Sequence, residues 1–178
     1  MELHDVSPLD RGRRTRRAAL AVTLAAAFLV GLPEAALAQT TINQRFHVIS
    51  AGPPGAKRLV VANGVISGVG TEVIESNPPG AATLRWTFPE GTLFVTTTYT
   101  FENVLNPQTC HRTVTLTGTW EITGGTGEFS GAIGGGEFSG TNRIHLTRTP
   151  DGCAPPPTFL RQVFSFTGDV SLAGAAAA

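Results

Sequence analysis

The 178-residue chain has one lysine, one tyrosine, one methionine and two cysteines. That single lysine, Lys57, and the lack of any long Ala, Leu, Glu and Lys run at helical spacing before the Ala-rich tail leave little from which to build helices. Excess charge of either sign is missing too. Thirteen Lys and Arg stand against 13 Asp and Glu, which argues against a charged disordered tail. Five of the arginines lie within Arg11–Arg17; after residue 38, eight basic residues face nine acidic ones, a net charge of −1. A polyanion then meets no attracting field, so nucleic acid is excluded as the main partner. Cys110 and Cys153, with His111 beside the first, lack metal-ligand spacing, and neither a metal nor a cofactor is expected. Ser130 and Ser139 sit in Phe-Ser-Gly without the glycine two places earlier that a nucleophile elbow needs. Glu128 and Glu137 lie in a glycine-rich stretch, with nothing to set them across a cleft as paired glycosidase carboxylates.

What is present begins with an address. The basic run Arg11-Gly-Arg-Arg-Thr-Arg-Arg17 precedes an apolar stretch from Ala18 to Leu32, then Pro33, Glu34 and the small-x-small site Ala36-Leu37-Ala38. This is the layout of a secretory signal peptide over 1–38, cut after Ala38 to leave Gln39 as the mature amino terminus. The apolar run is shorter than the roughly 20 residues of a spanning helix, the alternative reading. Thr15-Arg16-Arg17-Ala18-Ala19-Leu20 resembles a twin-arginine export signal with its leucine one step late, so that route and the general secretory route both stay open. The product is secreted or periplasmic, with no membrane attachment after cleavage. In an oxidising compartment an even cysteine count reads as one disulfide, Cys110 to Cys153.

The rest, 39–178, reads as one all-β domain. In Arg112-Thr-Val-Thr-Leu-Thr-Gly-Thr-Trp-Glu-Ile122, Val114, Leu116, Trp120 and Ile122 share one face and threonines with Glu121 fill the other, the period-two pattern of a half-buried strand. Further strands are expected over Gln44–Ser50, Lys57–Asn63, Val65–Ser76, Thr83–Phe88, Thr92–Glu102, Gly140–Arg148 and Phe159–Val170. Prolines and glycines separate them, as in Pro53-Pro54-Gly55, Asn77-Pro-Pro-Gly80 and Pro155-Pro-Pro157. Eight strands with no room for crossover helices make an antiparallel sheet. It either closes into a single eight-stranded barrel or, in the alternative, splits into a two-sheet sandwich. The cysteines flank strands expected to pair, so their Cα atoms should lie within about 7 Å.

The stretch Thr123–Gly140 holds Gly-Glu-Phe-Ser-Gly twice, nine residues apart. It lacks the aspartates of calcium-binding repeats and the glycine spacing and following helix of a nucleotide loop. It reads as a tight connection between two strands, with Gly124, Gly125, Gly127 and Gly131 as turn glycines and positive φ at Gly125 or Gly127. The longer segment Trp120-Glu-Ile-Thr-Gly-Gly-Thr-Gly-Glu-Phe-Ser-Gly-Ala-Ile-Gly134 resembles the one before the last strands of the allene oxide cyclase and dirigent barrels. There a strand runs into Gly-Gly-(Thr/Ser)-Gly, an aromatic or aliphatic residue, a small residue and another glycine. The likeness extends over residues 91 to 172 and implies a bacterial, exported, eight-stranded barrel with an apolar lumen. Members of that family steer a reactive apolar substrate into one cyclised or coupled product, largely by shape. The glutamate and asparagines with which the plant cyclases hold a water have no match in Phe46-His-Val-Ile-Ser50, so that role is not carried over.

By alternation His47 and His145 face outward. The candidate lumen residues are Leu84, Trp86, Val95, Tyr99, Phe101, Leu116 and Trp120, with Tyr99 and Thr97 as polar handles. Leu93, Val114 and Ile122 point the same way, and Gly118 should leave room for a ligand beside Trp120. The expected function is binding of a small apolar molecule, with cyclase-like or coupling chemistry implied by resemblance alone. The alternative is a non-enzymatic surface or assembly module with a threonine-rich exterior, and an oligomer is compatible with either. A lumen above about 300 Å³ would favour the first reading, and a packed lumen with an exposed apolar patch the second.

Overall fold

A computed structural model describes residues 42–173. The expected leader, its expected cleavage site and Gln39 lie outside the described residues, as does the tail from 174 onward. Alternation is the organising fact. In the first strand Gln44, Phe46, Val48 and Ser50 are buried while Arg45, His47 and Ile49 are exposed. The same period of two runs through β1 (Ile42–Gly52), β2 (Arg58–Asn63), β3 (Gly68–Ser76), β4 (Ala81–Phe88), β5 (Gly91–Asn106), β6 (His111–Gly127), β7 (Ile133–Thr149) and β8 (Gly152–Ser171). Each strand pairs antiparallel with the next. The β8 strand returns to β1 from Ile42↔Val170 to Gly52↔Leu160, which closes the barrel and excludes the two-sheet alternative. Within the closed ladder no sheet edge is left, and a fully buried Phe, Leu or Val inside contributes roughly 1.5–3 kcal/mol.

Strand length divides the molecule. The strands β1–β4 have 6 to 11 residues, whereas β5–β8 have 16 to 20. The β4–β5 ladder stops at Ala81↔Thr98 and the β1–β8 ladder at Gly52↔Leu160. Beyond those points β5–β8 continue as a four-stranded flap above one mouth of the barrel. Its two hairpin tips are joined by the Cys110–Cys153 disulfide, with Cα atoms 5.3 Å apart, as the strand pairing required. Such a bond is compatible with a location outside the cytoplasm.

The glycine-rich stretch is largely strand rather than connection. Gly124, Gly125 and Gly127 end β6, and β7 starts at Ile133, so the turn proper is Glu128–Ala132. Of the expected turn glycines only Gly131, with φ 73°, lies in it. The glycines serve close approach of the backbone to the turn or to a neighbouring strand instead. A Cβ at Gly125 would fall on the Phe129 carbonyl oxygen, and one at Gly136 on that of Thr167. Gly127 does take positive φ, 64°, whereas Gly125 does not. Across from Phe94 and Val95 the ladder skips Thr123, a bulge whose hydroxyl donates to the Phe94 carbonyl at 3.2 Å.

Candidate functional site

An eight-stranded barrel has an interior just wide enough to be filled by side chains or to hold one small ligand. Here the two conditions occur at different heights. At the end away from the flap, Ile66, Phe88 and Phe129 are buried, and the rings of Phe88 and Phe129 meet edge to face at 5.8 Å. The fully buried Gln44 side chain stands in for a missing strand neighbour. Its Nε2 donates to the Ile66 carbonyl at 2.9 Å, and its Oε1 accepts the Ile66 N–H at 3.0 Å. At mid-height Phe46, Trp86, Trp120 and Phe166 pack together, with centroid distances from 4.7 Å for Phe46–Trp86 to 6.4 Å for Trp86–Trp120. This aromatic layer blocks the lumen.

Above it, toward the flap, a cavity of about 240 Å³ remains. Ala82, Leu84, Leu116, Val114, Phe101, Phe138, Phe164 and Phe166 give it apolar walls. Its polar lining comes from all round the barrel: Arg58 on β2, Glu72 on β3, Asn77 in the β3–β4 turn, Thr97 and Tyr99 on β5, Asn142 on β7 and Gln162 on β8. Four of these form one line. The Trp86 indole N–H donates to Glu72 Oε2 at 2.8 Å. Arg58 Nη2 stands 2.5 Å from Glu72 Oε1, with side chains only 16% and 1% exposed. Arg58 Nη1 donates to Gln162 Oε1 at 2.7 Å, and Gln162 Nε2 donates to Asn142 Oδ1 at 3.0 Å. The guanidinium carbon also lies 5.8 Å from the Phe164 ring centre, within cation–π range. Two buried atoms in this line, Arg58 Nε and Glu72 Oε1, have no hydrogen bond; the Oε1 contact with Arg58 is close but poorly aligned. A buried ion pair thus forms the foot of an apolar cavity.

Leu84, Tyr99, Phe101 and Leu116 of the lumen candidates line this cavity, and Thr97 does too. Trp86, Val95 and Trp120 point inward but belong to the closed core beneath it. Leu93 and Ile122 are core residues as well, while Val114 reaches the cavity. Phe101 shares the inward face yet is 53% exposed, because β4 ends before reaching it. The polar handles are already engaged. The Tyr99 hydroxyl donates to Asn77 Oδ1 at 2.8 Å, and that of Thr97 donates to the Ala82 carbonyl at 3.4 Å. The space expected beside Gly118 is absent. A Cβ there would fall on the Thr98 carbonyl oxygen and near Tyr99 Cα, because β5 presses against β6. Register sets Tyr99 and Phe138 on either side of Gly118, and their rings meet at 6.3 Å. His47 and His145 are exposed on the outer wall, and Thr115, Thr117 and Thr119 also face outward.

Sequence reasoning missed Arg58, Glu72, Asn142 and Gln162. A signal existed: each occupies an inward position by the alternation of its own strand. Asn142 shares a face with Ile144, and Gln162 with Phe164 and Phe166. Polar residues in inward register invite pairing with one another. A larger hollow, about 740 Å³, lies on the outer wall around Thr98, Thr117 and Ser139. Its border is mainly hydroxyl side chains open to water, whereas the lumen cavity has apolar walls and ends on a buried ion pair.

No protein-family model, curated protein or solved structure matches the chain.

Proposed function

We propose that the protein is an exported barrel that binds a small, mainly apolar and uncharged molecule in its mouth cavity. The observation that carries this reading is an apolar cavity of about 240 Å³ ending on the Arg58–Glu72 pair. That volume falls short of the roughly 300 Å³ expected of a ligand-binding lumen, so volume alone does not favour this reading and the occupant must be small or leave part of itself under the flap. Arg58 and Glu72 cancel each other's charge, which disfavours an ionic ligand. The amide side chains of Asn77, Asn142 and Gln162 in the lining suit a carbonyl or hydroxyl group on such a molecule. The same reading takes the chain as a bacterial member of the allene oxide cyclase and dirigent barrels, on the strength of Trp120–Gly134 and the eight-stranded antiparallel order. Steering of cyclisation or coupling would then act through cavity shape, since Glu72, Thr97 and Tyr99 already hold partners. Titration with a neutral naphthylamine probe tests the binding claim. Saturable fluorescence is expected, and its affinity should fall in Leu116→Trp, whose larger side chain takes up part of the cavity; unsaturable or unchanged fluorescence would reject it.

A second reading, a non-enzymatic assembly module, is favoured by one feature. Past Tyr99 the outer edge of β5 pairs with no strand among the described residues, and Phe101, Val104 and Leu105 are exposed along it. The matching edge of β8 carries Pro155, Pro156 and Pro157, which block strand addition, whereas the β5 edge has no such guard. A sedimentation measurement discriminates: this reading expects a dimer that Val104→Lys converts to monomer.

A further inference from the structure

On the outer face, where the flap leaves the barrel wall, β7 and β8 set two arginines directly opposite one another, and β6 and β7 two histidines. The register pairs Arg143 with Arg161 and His111 with His145. The two imidazole rings lie 4.5 Å apart. Arg143 and His145 are two residues apart on one strand, so the four side chains share one face within a single step of the ladder. Like charges directly opposite on neighbouring strands oppose sheet formation. Nothing offsets them locally: among the described residues neither arginine forms an ion pair. The surface is also concave. A hollow of about 400 Å³ is bordered by Arg143, Arg161, His111, His145 and Phe159, and a second of about 210 Å³ adjoins it at Thr141, Arg143, Arg161 and Val163. No carboxylate lines either one.

We infer that this face is a binding site for a tetrahedral dianion, phosphate or sulfate, free or as the terminal group of a larger molecule. Two guanidinium forks on facing strands match two negative charges on one anion, with bidentate donors to its oxygens. The adjacent imidazoles and the Thr141 hydroxyl add further donors. A carboxylate would neutralise only one arginine. A divalent cation on the paired histidines is disfavoured by Arg143 and Arg161, and among the described residues no third His, Cys, Asp or Glu completes a ligand set. A net charge of −1 after residue 38 does not conflict, because a single dianion needs only this local field and not the extended one a polyanion follows. The site is independent of the lumen, from which it is separated by the barrel wall.

Thermal unfolding of the mature protein in sodium phosphate against sodium chloride at equal ionic strength tests the inference. Phosphate well above its dissociation constant should raise Tm by roughly 2–4 °C, and Arg143→Gln/Arg161→Gln should abolish the difference. Both positions are exposed, so the variant should keep its fold. Equal Tm in the two salts would overturn the inference, as would the same rise in the variant, which would mark a general salt effect. Phosphate should also move the NMR signals of Arg143, Arg161, His111 and His145; shifts centred on Arg58 would contradict the assignment. A parallel titration with methyl phosphate separates the sources. An equal response means that the site accepts the esterified group, and a response to the free ion alone means that it takes only the ion.

Discussion

Glu72 presents its carboxylate to the Trp86 N–H and the Arg58 guanidinium inside an apolar barrel. Breaking a buried pair by removing one partner typically costs about 3–5 kcal/mol, because the other charge stays behind uncompensated. Arg58→Met should therefore destabilise by about that amount in urea unfolding. Arg58→Met/Glu72→Gln should recover most of the loss, since a glutamine oxygen still accepts from Trp86. Equal destabilisation by the single and double variants would contradict the pairing. The glycines offer a second comparison. Gly127 has positive φ, and a Cβ there would fall on the Glu90 carbonyl oxygen, so Gly127→Ala should cost about 1 kcal/mol or more. At Gly124 a Cβ meets only the Phe94 ring at 3.7 Å, so Gly124→Ala should stay within about 0.5 kcal/mol of wild type. Matching Tm values for both variants would refute the distinction.

At the scale of strands, the alternation of Arg112–Ile122 and Leu93–Phe101 was enough to orient β5 and β6, because shifting either by one residue would bury threonines and expose leucine and tryptophan. All eight strands were legible, β2 and β3 from their apolar, β-branched composition and not from alternation. Their lengths were not: Leu105 and Asn106 extend β5, and Gly134–Gly136 begin β7, where glycine reads as turn although the barrel uses it for close strand approach. The cavity was half legible. Leu84, Tyr99, Phe101 and Leu116 follow from periodicity, but the Arg58–Glu72–Gln162–Asn142 line depends on which strands become neighbours across a closed barrel, and no single strand carries that information. The flap, legible only through its cysteines, rests on the link between its tips. Joining residues 43 apart stabilises by up to about 4 kcal/mol in chain-entropy terms. Cys110→Ser/Cys153→Ser should lower unfolding stability by as much as that while the far-ultraviolet signal stays β-type, and it should expose the tips near Gln108 and Asp151 to protease. A variant as stable and as resistant as wild type would show that the flap holds itself.

Residues 42–173 form a barrel closed below, filled at mid-height and open above, with its chemistry displaced to one mouth. Ile66, Phe88 and Phe129 seal one end, the tryptophan layer supplies rigidity, and the longer strands β5–β8 raise a wall beside the remaining space. That gradient suits capture of a small molecule from the flap side. Native mass spectrometry of the mature protein purified from its own host tests this most directly. The account predicts a bound, uncharged small molecule in wild type and a smaller bound share in a folded Leu116→Trp variant. Wild-type protein with no bound molecule, or a molecule retained unchanged by Leu116→Trp, would contradict it.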